Sequence, residues 1–315
     1  MTIIEATARS ESSAEITFRP GTLADSFAVY KIFEQTVLDL GQRLGVETIS
    51  GGQDEATLAQ LWERRRSLFE HLANTAAHFW LAESGEQPVG YARSVLRDGL
   101  YELTEFFVLP GRQSGGVGRG LLERAFPSTQ EGVTHQAIVA TTDTRAVVRY
   151  LKRGVYPRFA TSYFSRPSRR VAAPADLSAE PISATPETLA ILGTVDGALL
   201  GHRRDVDHTW LLTNCQGYLY RRGKKLLGYG YVGVSSGPFA LLEAADFPAV
   251  LAHAEAEAAA LNLEFGLEVP LINRVAVDYL LGQGFRMDAF LALVMFDVPF
   301  GKFEHYIFPS PPFFI

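Results

Sequence analysis

The chain has 315 residues, a length that suits two domains of about 150 residues each better than one core. Its net charge of −6 includes no clustered basic excess, which excludes a typical nucleic-acid binder, and its single cysteine, Cys215, excludes an intrachain disulfide and a CxxC zinc site. No signal peptide and no uncharged apolar run of about 18 residues is visible, so we predict a cytoplasmic protein with no nucleic-acid or membrane partner and no metal.

Up to residue 165 the chain predicts strands and helices in a mixed order. Residues 1–14 are polar and predict a frayed end. Asp25 is placed to cap the first helix, Gly51-Gly52 breaks the chain after it, and Asp98-Gly99 predicts a hairpin turn. The predicted strands cover residues 16–19, 79–83, 89–96, 101–109, 135–141 and 159–164, the last of which closes this half, and the predicted helices cover residues 27–40, 54–72, 118–125 and 145–153.

The remaining chain predicts a second domain that a linker joins to the first. Residues 166–183 are rich in Pro, Ala and Ser with little periodicity, which is typical of a linker. We therefore divide the chain into a domain at 1–165, the linker at 166–183 and a domain at 184–315. The second domain predicts strands at residues 217–221, 226–234, 265–269 and 289–296, and helices at residues 246–261 and 274–281.

An internal repeat supports this division. Residues 143–155 read DTRAVVRYLKRGV and residues 273–285 read NRVAVDYLLGQGF, with a constant offset of 130 residues. Gly154 then falls on Gly284. An offset of this size predicts that the two halves are a duplication and share one fold.

The stretch QSGGVG at residues 113–118 follows a predicted strand and opens a helix. A helix N-terminus presents unpaired backbone N–H groups and the positive end of the helix dipole, and glycines let those N–H groups approach a phosphate. The pattern predicts a pyrophosphate site, and the alternative is a glycine turn that only joins strand to helix. It is not a Walker A loop, which needs Gly-Lys-Ser/Thr where this chain has Gly118-Arg119-Gly120.

Two stretches together resemble the motifs of the GNAT acetyltransferases. Residues 108–122, VLPGRQSGGVGRGLL, resemble motif A with its core Q/R-x-x-G-x-G/A, and residues 143–154 resemble motif B, N-x-x-A-x-x-x-Y-x-x-x-G-F. The resemblance covers residues 16–164. It implies an α/β fold with a mixed sheet, here as tandem GNAT-like domains, that opens between the motif-bearing strands to admit acyl-CoA. The cofactor-binding residues that it implies are Phe107, Val108, Gln113, Ser114, Gly115, Gly116, Val117, Gly118, Arg119, Asp143 and Ala146.

The chain departs from the family pattern at two positions and loses it in the second half. Asp143 stands where motif B has Asn, which predicts a weaker polar contact to the cofactor arm, and Val155 replaces Phe, which predicts a packing change only. In the second half Leu280 occupies the position of Tyr150, and residues 243–249 contain no glycine where the loop should be. We therefore predict a degenerate GNAT-like second half that binds no acyl-CoA.

The resemblance also implies the groups that carry the reaction. Acyl transfer to an amine needs an oxyanion stabiliser and a proton for the leaving thiolate. By the resemblance Tyr150 is the general acid, and Glu102 or Glu105 is the base. A regular strand would place these two carboxylates on opposite faces, and a bulge would change that. A backbone N–H near Phe107 or Val108 would stabilise the oxyanion. The alternative is that Tyr150 only packs and that both carboxylates are solvated.

Three further features are each open to two interpretations. The run ERRR at residues 63–66 is either a solvated helix face or a site that attracts an acidic substrate or the CoA 3′-phosphate. The histidine and aspartate cluster at residues 202–208 fits no standard metal spacing and predicts a surface loop. The apolar tail SPPFFI predicts packing in a groove between the halves or in the acceptor site, where the Ile315 carboxylate could act as a base.

These features predict an acetyl-CoA-dependent N-acetyltransferase. It transfers an acetyl group to a small-molecule or peptide primary amine by direct attack in a ternary complex, in the first half. The only thiol, Cys215, lies in the second half, so no covalent intermediate is expected. The protein is expected to be a monomer or a homodimer. Two alternatives stay open: a non-catalytic GNAT-fold protein that binds acyl-CoA or a metabolite for regulation, and an enzyme that acts on protein N-termini or lysines.

Overall fold

The computed structural model describes residues 15–46, 54–113, 115–172 and 174–315. The polar start at residues 1–14, the break predicted at Gly51-Gly52 and the predicted site residue Ser114 lie outside these ranges. Within them, no helix is both long and apolar enough to cross a membrane. The same ranges contain no group of three or more His, Cys, Asp or Glu side chains placed to hold a metal ion.

The elements of the first half lie within a few residues of their predicted bounds. In chain order they are β1 (Ile16–Pro20), α1 (Ser26–Leu44), α2 (Glu55–Thr75), β2 (His78–Ser84), β3 (Gln87–Arg97), β4 (Leu100–Val108), α3 (Val117–Ala125), β5 (His135–Thr141), α4 (Thr144–Leu151) and β6 (Tyr156–Arg166).

Local chemistry explains where these elements begin and turn. Asp54 caps α2 by accepting a hydrogen bond from the Thr57 N–H. Asp98 and Gly99 turn the β3–β4 hairpin with φ angles of 43° and 94°, a conformation that favours such a pair. Asp25 does not cap α1 as predicted, because its carboxylate instead pairs with Arg19.

The second half contains more elements than the sequence predicts. In chain order they are β7 (Ser178–Ile182), α5 (Pro186–Leu199), α6 (Asp205–Asn214), β8 (Gln216–Arg222), β9 (Lys225–Val232), β10 (Phe239–Leu241), α7 (Phe247–Ala260), β11 (Phe265–Pro270), α8 (Arg274–Gly282), β12 (Arg286–Phe296) and β13 (Tyr306–Ile307).

The two halves exchange strands within one sheet. Its order is β1-β2-β3-β4-β5-β12-β6-β11, so β12 of the second half lies between β5 and β6 of the first and is antiparallel to both. Strand β6 then pairs with β11 of the second half. Residues 159–164 form a strand as predicted, but its hydrogen-bonding partners come from beyond the linker.

The exchange also shortens the segment between the halves. Strand β6 runs to Arg166 and β7 begins at Ser178, so both enter the predicted linker at residues 166–183. The division of the chain at residues 165 and 184 stays a prediction.

The second sheet has the order β13-β10-β9-β8-β7. Strand β13 pairs with β10, and the residue after it, Phe308, forms a bridge with Glu268 of β11. The chain's own C-terminal segment therefore lies between β10 and β11. These are the strands that correspond by position to β4 and β5.

The predicted repeat is visible in the helices that carry it. Asp143 caps α4 and Asn273 caps α8, each by accepting a hydrogen bond from a backbone N–H two or three residues ahead. Gly154 and Gly284 follow the two helices with φ angles of 78° and 82°, a left-handed conformation that glycine adopts at low cost. The 130-residue offset is thus a repeat in structure as well as in sequence.

One cluster of buried side chains joins the halves. It extends from Phe33 of α1 and Phe69 of α2 to Leu192 of α5 and Leu211 of α6. The C-terminal residues 313–315 pack into the same cluster. The tail occupies both predicted positions: residues 313–315 lie in the groove between the halves, and residues 310–313 line the cavity of the first half.

The histidine and aspartate cluster at residues 202–208 is buried except for Asp205, so the predicted surface loop is wrong. Asp207 and His208 lie on α6 and are fully buried. The Asp207 carboxylate accepts hydrogen bonds from Arg97 and is paired with His71, both of the first half. A buried charge is tolerated only with such partners, and these become adjacent only when the halves pack together.

Candidate active site

A cavity opens where two parallel strands of the large sheet separate. Strands β4 and β5 pair only from Leu100–His135 to Leu103–Ile138, although β4 continues to Val108 and β5 to Thr141. A cavity of about 280 Å³ lies at this opening. The separation is the one that the motif resemblance implies for acyl-CoA.

The glycine loop lies at one end of the cavity. Gln113 and Gly118 line it, and the Gln113 side-chain amide donates a 3.0 Å hydrogen bond to the Val108 carbonyl, which ties the loop to β4. Gly115 and Gly116 have φ angles of 89° and 87°, so side chains are disfavoured at both. The loop leads into the N-terminus of α3, where unpaired N–H groups can bind an anion.

Beyond the point where β5 separates from β4, the edge of β4 directs a backbone N–H toward the opening. The Leu109 N–H donates to the Val89 carbonyl of β3, and N–H directions alternate along an antiparallel strand. The Phe107 N–H therefore points toward β3, and the Val108 N–H points into the opening. Between the two oxyanion donors that the sequence left open, the geometry favours Val108.

Tyr150 projects from α4 into the same cavity. Its ring is 4% exposed and packs edge-on against Phe106, with centroids 6.2 Å apart. Within the described residues its hydroxyl makes no hydrogen bond. Burial raises the pKa of Tyr150, Asp143 raises it further and Arg149 lowers it, so the phenol stays protonated at neutral pH.

Asp143 lines the cavity but is engaged with its own helix. Its carboxylate accepts from the Arg145 backbone N–H and forms ion pairs with the Arg145 and Arg43 side chains. The Arg145 hydrogen bond is the main cause that lowers the Asp143 pKa to about 2. An ionised carboxylate accepts hydrogen bonds and donates none, whereas the Asn of motif B does both. Asp143 therefore offers fewer hydrogen-bonding groups to the cofactor arm. Val155, which replaces the Phe of motif B, is buried in the core, in agreement with a change in packing only.

The two predicted base residues do not line the cavity. A bulge in β4 between Leu103 and Glu105 breaks the alternation, and both Glu102 and Glu105 are 1% exposed. Glu105 accepts from the Tyr91 hydroxyl at 2.7 Å and forms an ion pair with Arg93.

Glu102 is held by the end of the chain. It accepts a 2.8 Å hydrogen bond from the backbone N–H of Ile315, and burial raises its pKa to about 7. Both predicted carboxylates therefore serve as buried partners of other groups, and Ile315 lies beside Glu102 in the core.

The opposite wall of the cavity comes from the exchanged strands and the tail. Tyr163 of β6, Glu268 of β11, Asp288 of β12 and residues 310–313 all line it. Glu268 was missed by the sequence analysis. A single carboxylate within the otherwise apolar strand FGLEVP was the available signal, but its partner strand β6 belongs to the other half.

Comparisons with known proteins agree with this geometry. A family model described as acetyltransferase (GNAT) domain matches residues 75–155, which contain the glycine loop and Tyr150. These residues are a GNAT acetyltransferase domain. No curated protein sequence matches the chain.

Solved structures of GNAT proteins, one of them a tandem GNAT protein, share the fold over about nine-tenths of the chain. A candidate acetyltransferase from Pyrococcus horikoshii has a TM-score of 0.70 at 15% identity over 92% of each chain. A tandem GNAT protein from the clavulanic acid biosynthesis pathway has a TM-score of 0.55 at 14% identity, over 90% of this chain and 99% of its own. A GCN5-related N-acetyltransferase from Sphaerobacter thermophilus has a TM-score of 0.52 at 12% identity, over 91% and 97%.

The second GNAT-like half differs from the first at three features that form the cavity. Residues 243–249 form a short 3-10 turn and the start of α7 in place of a glycine loop. Leu280, which replaces Tyr150, is fully buried in the core of this half. Strand β13 lies between β10 and β11, where the first half is open.

Proposed function

We propose that this protein is an N-acetyltransferase that transfers an acetyl group from acetyl-CoA to a primary amine, using the opening in the first half. One observation supports this most strongly: the α3 N-terminus, the Val108 N–H and the Tyr150 hydroxyl all face one cavity at the separation of β4 and β5. These are an anion site, an oxyanion donor and a proton donor.

The residues fit acetyl-CoA in chemistry as well as in placement. The N-terminus of α3 offers N–H groups to the pyrophosphate, and Arg149 lines the cavity beside Gly118 without an ion pair among the described residues. A Cβ on Gly118 would lie 3.2 Å from the Phe106 ring, so glycine at this position keeps the space beside the ring open. The apolar wall formed by Phe106, Ile138 and Val139 suits the pantetheine arm and the acetyl group.

The reaction follows from these positions. The amine nitrogen attacks the thioester carbonyl, the Val108 N–H stabilises the oxygen as it gains negative charge, and the C–S bond breaks. Tyr150 donates its hydroxyl proton to the departing sulfur. The amine nitrogen loses a proton to a base, and neither Glu102 nor Glu105 is proposed for that role because neither lines the cavity.

A CoA-release assay tests the proposal. Acetyl-CoA is incubated with the full chain and a panel of amines that includes amino acids, polyamines, aminoglycosides, alkylamines and peptides, and free thiol is measured. We expect amine-dependent thiol release with at least one class. Acetyl-CoA binding by calorimetry without release over the panel would favour the regulatory alternative, and absence of binding would contradict the assignment of the site.

A further inference from the structure

The strand exchange brings a carboxylate of the second half to the cavity of the first. Glu268 lies in β11, directly opposite Tyr163 of β6 in the pairing register. Because β6 crosses from the first half to pair with β11, Glu268 lines the same cavity as Tyr150. Neither half alone contains both groups.

Glu268 is held in place and still has a free oxygen. Its side chain is 8% exposed, and Oε1 accepts a 3.0 Å hydrogen bond from the Thr161 hydroxyl. Oε2 accepts no hydrogen bond from the described residues. Glu102 and Glu105, by contrast, already have strong donors and lie outside the cavity.

The surroundings of Glu268 suit proton transfer near neutral pH. Burial raises its pKa to about 7, the Thr161 hydrogen bond lowers it and Asp288 raises it. A base with a pKa close to the working pH combines a populated ionised form with a useful affinity for the proton. Glu264 and Arg65 also act electrostatically on Tyr163. The other charged residues that line the cavity are Arg43, Asp143, Arg145 and Arg149.

We propose that Glu268 is the general base of the acetyl transfer, so that the second half supplies a catalytic group to the acyl-CoA site of the first. The proposal rests on the function proposed above. As the C–N bond forms, the amine proton passes to Oε2 of Glu268, and as the C–S bond breaks, the Tyr150 proton passes to sulfur. Solvent then returns the proton from Glu268 to Tyr150, which restores both groups.

The same wall indicates the class of acceptor. Beside Glu268 and Asp288 the cavity is lined by apolar side chains of α1, β12 and the tail, among them Phe33, Phe290 and Phe313. Two carboxylates attract an amine and repel an acidic group close to it. The acceptor is therefore a primary amine on a compact apolar body, such as an alkylamine or arylalkylamine, in preference to an α-amino acid.

Glu268→Gln tests the role without changing the size of the side chain, and its amide oxygen can still accept from Thr161. We expect kcat to fall by about 10²- to 10⁴-fold, the usual contribution of a positioned base, with an unchanged Kd for acetyl-CoA. The plot of log kcat/KM against pH should also lose about one unit of slope below pH 7 relative to the wild type. Glu264→Gln is the matched control, since Glu264 is exposed, precedes β11 and does not line the cavity.

The outcomes separate the two proposals. Wild-type kcat and slope in Glu268→Gln would overturn the role of Glu268 and leave the enzyme assignment standing. Failure of the wild type to release CoA with any amine would instead overturn the proposed function itself. If the variant does not fold, the pH profile of log kcat/KM for the wild type, measured with an amine of low pKa, tests the role of Glu268. A profile that shows no fall in activity below about pH 7 would contradict the proposal.

Discussion

Tyr150 is the residue on which the proposed chemistry depends most directly. Tyr150→Phe keeps the ring that packs on Phe106 and removes only the hydroxyl. We expect kcat to fall by about 10²-fold, the low end for a positioned acid, because a thiolate with a pKa of about 8.5 is already a fair leaving group. The Kd for acetyl-CoA should change little. Tyr156→Phe is the control, since Tyr156 is half-exposed and outside the cavity; equal kcat in the two variants would make the Tyr150 hydroxyl structural.

Glu102 makes a prediction about stability. Burial raises its pKa from 4.5 to about 7, so its contribution to folding is complete below pH 4.5 and is lost as pH rises through 7. Glu102→Gln cannot ionise, and the loss of unfolding free energy between pH 5 and 8 should shrink by up to roughly 2.5 kcal/mol. Denaturant unfolding at both pH values measures this. A variant with the wild-type pH dependence would show that Glu102 does not ionise in this range.

The candidate site could be read from the sequence only where it is local. The glycine loop and Tyr150 lie within two short motifs, and both line the cavity as the motifs imply. The carboxylates could not be read in this way. Glu102 and Glu105 lie close to the loop in sequence but face the core, whereas Glu268 is 118 residues from Tyr150 and reaches the cavity through the pairing of β6 with β11.

The loop before α3 can be tested as an element. Gly116→Asp places a side chain and a negative charge where the proposed pyrophosphate binds, so we expect the affinity for acetyl-CoA to fall by at least about tenfold by calorimetry. Gly132→Asp is the matched control. Gly132 has a φ of 76° against 87° at Gly116, and a Cβ at either position would meet nothing within 4 Å. The control therefore carries the same backbone strain outside the cavity, and equal affinities in the two variants would contradict the phosphate site.

The sequence predicts helices and strands correctly where their hydrophobic periodicity is strong. It fails for short strands that form only because they pair with other strands. Strand β5 has its predicted bounds, and α8 extends one residue past them. Strand β10, with three residues, and β13, with two, are too short to show a period of two and exist because they pair with each other. The Pro-, Ala- and Ser-rich composition of residues 166–183 predicted a linker, yet residues 178–182 within it pair with β8 as β7.

The exchange of β6 and β12 makes the second half part of the structure of the first. It supplies the strand that covers β5, the wall that carries Glu268, and the cluster in which residues 313–315 are buried. Charged partners also cross between the halves, as Arg97 does to Asp207, and a buried pair that loses one member costs about 3–5 kcal/mol.

A cut between the halves tests whether they form one folding unit. A protease site inserted at Ala175, in an exposed turn before β7, can be cleaved after the protein has folded. Because β12 is paired between β5 and β6, and β6 also pairs with β11, the two fragments should co-elute at the size of the intact chain and keep acetyl-CoA binding and amine-dependent CoA release. They should separate only on denaturation.

The isolated first half is a second test of the same pairing. Residues 1–165 made alone leave β5 and β6 with unpaired edges and should aggregate, since exposed strand edges pair with other chains. Cleaved halves that elute as two folded monomers, or a soluble and fully active first half, would contradict the exchange.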